Sequence, residues 1–231
     1  MSVRSSDYRY VFFDFAGTLV EGVPNWEHPQ VVACAESGVH VTPAQVQAAI
    51  WHVWGPLEGC AHVDASTSKE SYHAWIGAIE RQILAGLGVP GPLLDQAARR
   101  VMALQVAPAS YRVYSDVLPA LQSLTRRGVG RGIVSNFAWG LPGLVAALGL
   151  AEWFDPVLTS ARVGYRKPRP EIFLRAIAVA GVEADATLHV GDDPVCDRAG
   201  AAAAGIPAML IDRGRRASAK QQRIRSLLAL K

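Results

Sequence analysis

Tyr10-Val11-Phe12-Phe13-Asp14-Phe15-Ala16-Gly17-Thr18-Leu19 begins as an almost unbroken apolar run and ends in polar chemistry. A continuous run of this length is how a strand buried on both faces reads, and we take it over Tyr10–Phe15. Open parallel sheets bind their ligands at the carboxyl ends of their strands, which is where Asp14 projects. Gly17 allows a tight turn there, and the N–H groups of Phe15 and Ala16 can cradle an anion.

Four more apolar runs follow: Gly132–Phe137, Val157–Ser160, Thr187–Val190 and Ala208–Ile211. Between them Val117–Arg127, Leu141–Leu148, Pro170–Ala180 and Asp197–Ala204 carry apolar residues near a 3.6-residue period. Strands alternating with helices predict an α/β protein with a parallel, Rossmann-like sheet covered on both faces. Only the first strand breaks the rhythm, since about 90 residues separate it from the next unit, too many for a loop.

That interval reads as helical. Thr42-Pro43-Ala44-Gln45 has the form of a capping box with Pro at the first helical position, and Thr67-Ser68-Lys69-Glu70 that of a second. Tyr72, Trp75, Ile76, Ile79 and Ile83 then keep one apolar face until Gly86 and Gly88. Leu93 to Leu104 makes a third helix. The expected organisation is a discontinuous core, 1–20 and 109–231, with an inserted all-helical domain over 21–108. Gly22-Val23-Pro24 and Ala107-Pro108 are its crossings.

Bulk composition fits a soluble protein: 231 residues, 50% apolar and 19% charged. The N-terminal apolar run is too short for a signal peptide, and Ala199–Ile211 is broken by Gly205 and Pro207, so no membrane association is expected. Three scattered cysteines, Cys34, Cys60 and Cys196, suit a reducing compartment, and the expected location is cytoplasmic. Seven basic residues and no acidic ones lie between Arg213 and Lys231, leaving a body with 16 basic against 20 acidic residues. Ile224, Leu227, Leu228 and Leu230 recur there at helical spacing, so the tail is read as a packed terminal helix rather than a nucleic-acid arm.

Four strand ends bring chemistry to one edge. After Asp14 come Ser135-Asn136, then Gly164-Tyr165-Arg166-Lys167-Pro168, then Gly191-Asp192-Asp193 with Asp197 one turn on. Each piece alone is weak, but the order of carboxylate, hydroxyl with amide, lysine and carboxylate cluster is specific. In this the sequence resembles the haloacid dehalogenase-like superfamily of hydrolases. DFAGTL (14–19), SN (135–136), GYRKPRPEIF (164–173) and GDDPVCDRAGAAAAG (191–205) carry the likeness across the core. The early insertion resembles that superfamily's helical cap, and SNF, WFDPVLTS and HVGDDPVCD resemble a phosphatase-like branch.

The resemblance implies that Asp14 is the nucleophile, forming an aspartyl-phosphate, with Thr18 orienting its loop. Ser135 and Asn136, with the Phe15 and Ala16 backbone, would bind the transferring group's oxygens. Lys167 would offset the charge shared by Asp14 and that group. Mg²⁺ would be held by Asp14, the Ala16 carbonyl, Asp192, Asp193 and Asp197. Elementary electrostatics agrees: a phosphoryl group cannot approach a carboxylate without compensating cations, and Mg²⁺ favours hard oxygen ligands. The implied partner is a small phosphorylated molecule, with the cap closing to exclude water.

Position 16 departs from the pattern. Phosphatases of the superfamily carry a second Asp there, as acid to the leaving group and base to the attacking water, whereas this chain has Ala16. Losing such a group costs about 10²–10⁴ in rate. Three readings follow: a phosphatase working without that Asp, a feebly catalytic protein binding a phosphorylated ligand or partner, and a haloacid dehalogenase or phosphonate hydrolase. Glu21 and His28 are candidates to replace the missing group, although a surface or capping role suits both better. Cys196 reads as a small filler. Trp26, Trp51, Trp54 and Trp75 read either as helix core or as an aromatic lid, with the core role favoured. His52, Cys60, His62 and His73 lack zinc spacing.

Overall fold

The computed structural model describes residues 8–23, 28–58, 68–214 and 223–230, the side chains of 28 and 56–58 excepted. The chain runs β1 (Tyr10–Phe13), β2 (Val20–Gly22), α1 (His28–Glu36), α2 (Pro43–Glu58), α3 (Lys69–Gly86) and α4 (Leu94–Gln105). It continues β3 (Tyr111–Val113), α5 (Val117–Arg126), β4 (Gly130–Ser135), α6 (Leu141–Ala147), β5 (Val157–Thr159), α7 (Ser160–Val163) and α8 (Pro170–Ala180). The last elements are β6 (Thr187–Gly191), a π-turn over Pro194–Ala199, α9 (Gly200–Ala203), β7 (Ala208–Ile211) and β8 (Arg223–Ile224).

Six strands form one sheet in the order β5-β4-β1-β6-β7-β8, and every pairing is parallel. With the small β2–β3 pair set aside, this is the Rossmann order, in which chain direction across the sheet reverses between β1 and β6. β1 is therefore central and wholly buried. Val11 and Phe13 face one core with α5 and α6; Tyr10 and Phe12 face the other with α8 and α9. The alternation of the pleat puts large side chains on both faces, and β4 makes room for them. A Cβ at Gly132 would lie 2.6 Å from the Phe12 ring, so the glycine there admits the aromatic side chain.

Helices α1–α4 form the expected helical cap between β1 and the remainder of the core, packing chiefly as α3 on α4 and α1 on α4. Thr42 and Gln45 do exchange capping hydrogen bonds, with Thr42 N–H donating to Gln45 Oε1 at 2.8 Å. The cap of α3 sits one residue later than expected: Ser68 pairs with Ser71, and Thr67 lies outside the described residues. Two short strands went unread. β2 and β3 pair antiparallel, Val20 opposite Val113, where the chain enters and leaves the helical region.

The carboxyl terminus corrects the expectation of a helix. Arg223–Ile224 extends the sheet beside β7, and Leu227–Ala229 is one 3-10 turn. Leu227 and Leu230 are still buried in the core. Ile224 is half-buried, whereas Leu228, expected on the packed face, is 53% exposed, because a strand followed by a single turn presents a different set of side chains from a helix. The segment read as one helix over Asp197–Ala204 is likewise the π-turn followed by α9. Among the described residues no helix is long and apolar enough to cross a membrane.

Candidate active site

The site forms where the sheet reverses. Asp14 leaves the end of β1, its N–H bonded to the Val190 carbonyl of β6 at 2.9 Å, so the ends of the two strands are locked together. Gly17 turns the chain back with φ +79°, and a Cβ there would lie 2.5 Å from Asp192 Oδ2. The turn and the close approach of Asp192 therefore both need glycine. Among the described residues, the N–H groups of Phe15 and Ala16 donate to no backbone carbonyl, and no backbone N–H binds the Ala16 carbonyl.

Lys167 is 4% exposed and is the hub. Its ammonium lies 2.7 Å from Asp14 Oδ1 and 2.5 Å from Asp197 Oδ1. Burial works against that charge, but the two carboxylates outweigh it and hold the lysine protonated. Asp197 is lowered well below the usual carboxylate range: burial opposes this, but Lys167 and the His189 hydrogen bond prevail. Asp14 goes the other way, because burial and the Asp197 charge exceed the help it draws from Lys167 and from the Ser135 hydroxyl. Asp197 differs from Asp14 in having His189 as a partner besides the shared ammonium. Asp192, whose residue surface is exposed, has its carboxyl pushed up to about 7 by desolvation against the site and then by the Asp14 and Asp197 charges.

Oxygens of Asp14, Asp192 and Asp197 come within 4.8 Å of one another. Three carboxylates against one ammonium leave an excess of negative charge, and the donors are hard oxygens. Both features fit Mg²⁺. Asp14, Asp192 and the Ala16 carbonyl are the groups placed to hold it. Asp197 has little to spare: Oδ1 accepts from Lys167 and from His189 Nε2 (2.9 Å), and Oδ2 from the Asp193 N–H (3.0 Å).

Two expected ligands carry structural hydrogen bonds here. Asp193 stands outside the cluster; its Oδ1 accepts the Val195 and Cys196 N–H groups, both at 2.7 Å, and caps the π-turn. Asn136 donates Nδ2–H to the Lys167 carbonyl at 2.9 Å and accepts the Lys167 N–H at 2.8 Å, so its amide fixes the lysine loop. Ser135, 2% exposed, lies against Asp14. Thr18 is buried with no partner for its hydroxyl among the described residues, and its carbonyl accepts from Arg213 Nη2 at 2.6 Å.

Three contributors escaped the sequence reading. Arg213 also binds Asp116 at 2.7 Å, so a residue counted in the basic tail anchors the Asp14–Leu19 loop from inside. His189, fully buried beneath Asp197 and edge-on to Phe173, looked like part of an apolar strand. A cavity of about 310 Å³ opens from Ala16 and Asn136 toward α1–α4, where Gln30, Glu80 and Gln105 line it together with Trp54 and Trp75. Those polar cap residues follow no motif, and only their convergence reveals them.

The remaining expectations sort readily. Glu21 is engaged by Arg112 at 2.6 Å across the β2–β3 pair and does not line the cavity. The side chain of His28, together with Trp26, Cys60 and His62, lies outside the described residues. Trp51 is 55% exposed, whereas Trp54 and Trp75 meet edge to face at 5.6 Å and form cavity wall. Trp54 and Trp75 also pack against the Tyr72–Ile83 core cluster, as the favoured core reading expects. Cys196 is half-buried, with its thiol pushed up to about 11 by burial and the Asp193 charge, which suits a filler.

A doubly covered parallel sheet with a buried lysine between two carboxylates and a third carboxylate beside them at its reversal point is a Rossmann-like core with a candidate active site at its strand edge. The sequence profile of the haloacid dehalogenase-like hydrolases matches residues 8–205, and the chain belongs to that family. It is 29% identical over 206 residues to haloacid dehalogenase-like hydrolase domain-containing protein 3 of Danio rerio, covering 89% of this chain and 85% of that one. Matches to mammalian proteins of the same description span 41–42% of their length. It is also 29% identical over 213 residues to a phosphoglycolate phosphatase of Rhodospirillum rubrum, covering 88% and 79%. The crystal structure of a 2-haloacid dehalogenase from Pseudomonas syringae pv. Tomato DC3000 shares the fold, with a TM-score of 0.66, 24% identity and 96% of each chain covered.

Proposed function

We propose that this hydrolase is a Mg²⁺-dependent phosphatase acting on a small-molecule phosphate monoester through an aspartyl-phosphate on Asp14. The observation that carries the reading is the Asp14–Lys167–Asp197 chain with Asp192 beside it. A dehalogenation nucleophile needs no such carboxylate excess, whereas a phosphoryl group brings charge that a lysine and a divalent cation must balance. Mg²⁺ held by Asp14, Asp192 and the Ala16 carbonyl would supply charge neutralisation to the bound phosphoryl group.

In the first step an Asp14 carboxylate oxygen bonds to phosphorus as the ester P–O bond breaks, and the leaving alkoxide takes a proton from solvent. In the second, water adds to phosphorus, the Asp14–phosphorus bond breaks, phosphate departs and the carboxylate is restored. Lys167 stays protonated throughout, with its position set by Asn136 and Asp197. The Phe15 and Ala16 N–H groups and the Ser135 hydroxyl supply donors to the phosphoryl oxygens. Ala16 offers no proton, so the first step depends on leaving-group pKa, and aryl phosphates are cleaved faster than alkyl ones.

Relatives named as phosphatases support this reading. Cys34 and Cys196 are both free, in keeping with a cytoplasmic protein. No nucleic-acid or membrane partner enters the proposal. The second reading, a weakly catalytic protein that holds a phosphorylated ligand, draws on Ala16 alone. The experiment is turnover of phosphate esters, phosphonates and haloacids with and without Mg²⁺. Phosphate release that requires Mg²⁺ is expected; halide release without metal, or tight phosphate-ester binding with no turnover, would replace the proposal.

A further inference from the structure

The far wall of the cavity has an unusual polar end. Glu80 on α3 is 2% exposed and meets no cationic side chain among the described residues. It is held from two sides, by Gln30 Nε2 on α1 at 3.1 Å and by Gln105 Nε2 on α4 at 2.9 Å. Both contacts place an N–H on a Glu80 oxygen, one on each, as an ionised carboxylate demands. A carboxylate can face only the amino end of an amide. That fixes the orientation of Gln30 and turns its Oε1 away from Glu80. Gln30 is 4% exposed, and this Oε1 is buried with no partner among the described residues.

All three side chains line the cavity that begins at Ala16 and Asn136 beside the nucleophile. Its polar end therefore presents acceptors and a negative charge, between walls that include Tyr72, Trp54 and Trp75. A buried carboxylate with no cation is costly, and an unmet carbonyl adds to the cost. A hydroxyl ligand would satisfy Gln30 and leave the charge unbalanced; an apolar ligand would leave both. An ammonium group supplies donors to Gln30 and charge to Glu80. Arg166, stacked over Trp54 at 4.5 Å, adds a positive group to the same wall, suited to the anionic part of such a ligand.

We infer that the cavity between cap and sheet selects phosphate monoesters whose leaving group carries a positively charged amino group, received by Glu80 and the free carbonyl of Gln30. This rests on the phosphatase reading for its chemistry, but the recognition is separable from it. Burial raises the Glu80 carboxyl above its usual range, and an ammonium placed against it reverses that shift.

The test compares three esters of matched size with the intact protein and Mg²⁺: 2-aminoethyl phosphate, 2-hydroxyethyl phosphate and propyl phosphate. The ammonium ester should exceed the propyl ester in kcat/KM by about 10-fold or more. Glu80→Gln should remove most of that advantage, leaving the ammonium and propyl esters cleaved alike, and an unchanged far-UV circular dichroism spectrum should show that the variant is folded. Preference for the hydroxyl or propyl ester would overturn the inference. So would an equal loss on all three alkyl esters in Glu80→Gln, which would instead make Glu80 a proton donor. If no ester is turned over, calorimetric titration decides: tighter binding of 2-aminoethyl phosphate than of propyl phosphate upholds the cavity while the phosphatase reading falls, and equal binding overturns the inference itself.

Discussion

The strand edge and the cap wall both bury carboxylates, and they treat them in opposite ways. At the edge, Asp14 and Asp197 share one buried ammonium, Asn136 fixes the lysine loop, and Asp193 caps the adjoining turn. In the cap, Glu80 is buried as deeply but receives only neutral amides. A charge paired inside the chain is built for chemistry that repeats identically at each turnover. A charge left unpaired toward a cavity takes its counterpart from the ligand. In the proposed function the first region carries the reaction and the second selects what undergoes it.

The most severe break falls on the edge. Asp14→Asn removes the nucleophile while keeping its shape, and turnover should drop by about 10⁴-fold or more with the fold retained. Near-native rates in this variant would end the covalent mechanism. Binding in the cap cavity should survive the substitution, which separates the two regions experimentally.

Lys167→Met tests the pairing itself. It leaves Asp14 and Asp197 as neighbouring buried carboxylates without their ammonium, and unfolding free energy should fall by about 3–5 kcal/mol. Combining it with Asp14→Asn should recover part of the loss, because one of the stranded charges is gone. Denaturant titration of the single and double variants measures this. A loss under about 1 kcal/mol would mean that the three groups do not act as a unit.

Ala16 stands where the two regions meet, exposed and lining the cavity, so a longer side chain has room. Ala16→Asp should speed alkyl phosphate hydrolysis by about 10-fold or more, and aryl phosphate hydrolysis far less. Paired kcat values for one alkyl and one aryl ester give the answer. Equal leaving-group sensitivity in both proteins, with fast wild-type rates, would show that another group already provides the proton.

The smallest effect is in stability against pH. Asp192, pushed up to about 7, and Asp14, also raised, hold protons more tightly folded than unfolded. Their contribution is complete below the ordinary carboxylate range and is lost as pH rises through about 7. Asp197, lowered, acts only in acid, where its contribution disappears as pH falls. Metal-free protein should therefore lose a few degrees of Tm between about pH 5 and pH 8, and Mg²⁺ should restore more at the higher pH. Thermal melts with and without Mg²⁺ at both values check this; a Mg²⁺ gain no larger at about pH 8 would detach the metal from these carboxylates.

The sequence by itself determined five of the six sheet strands, the order of chemistry along them and the family. Apolar runs follow from burial on both strand faces; Asp14 and Asp192 directly follow β1 and β6, and Lys167 and Asp197 lie in the loop after α7 and the π-turn after β6, all on the edge to which backbone geometry brings the strand ends. Only the tertiary structure decided how the same residues divide their labour. Asn136 and Asp193 are ordinary polar residues in sequence, and their roles depend on a carbonyl or an N–H supplied by the fold. Arg213 reads as part of a basic tail until β7 ends beside the loop of Thr18. His189 hides in an apolar strand. Gln30, Glu80 and Gln105 come from three separate helices, and helical periodicity records which face is apolar but not which polar side chains from different helices converge. Sites built by one rule of chain topology are legible in order along the chain; sites built by packing helices against each other exist only once they are packed.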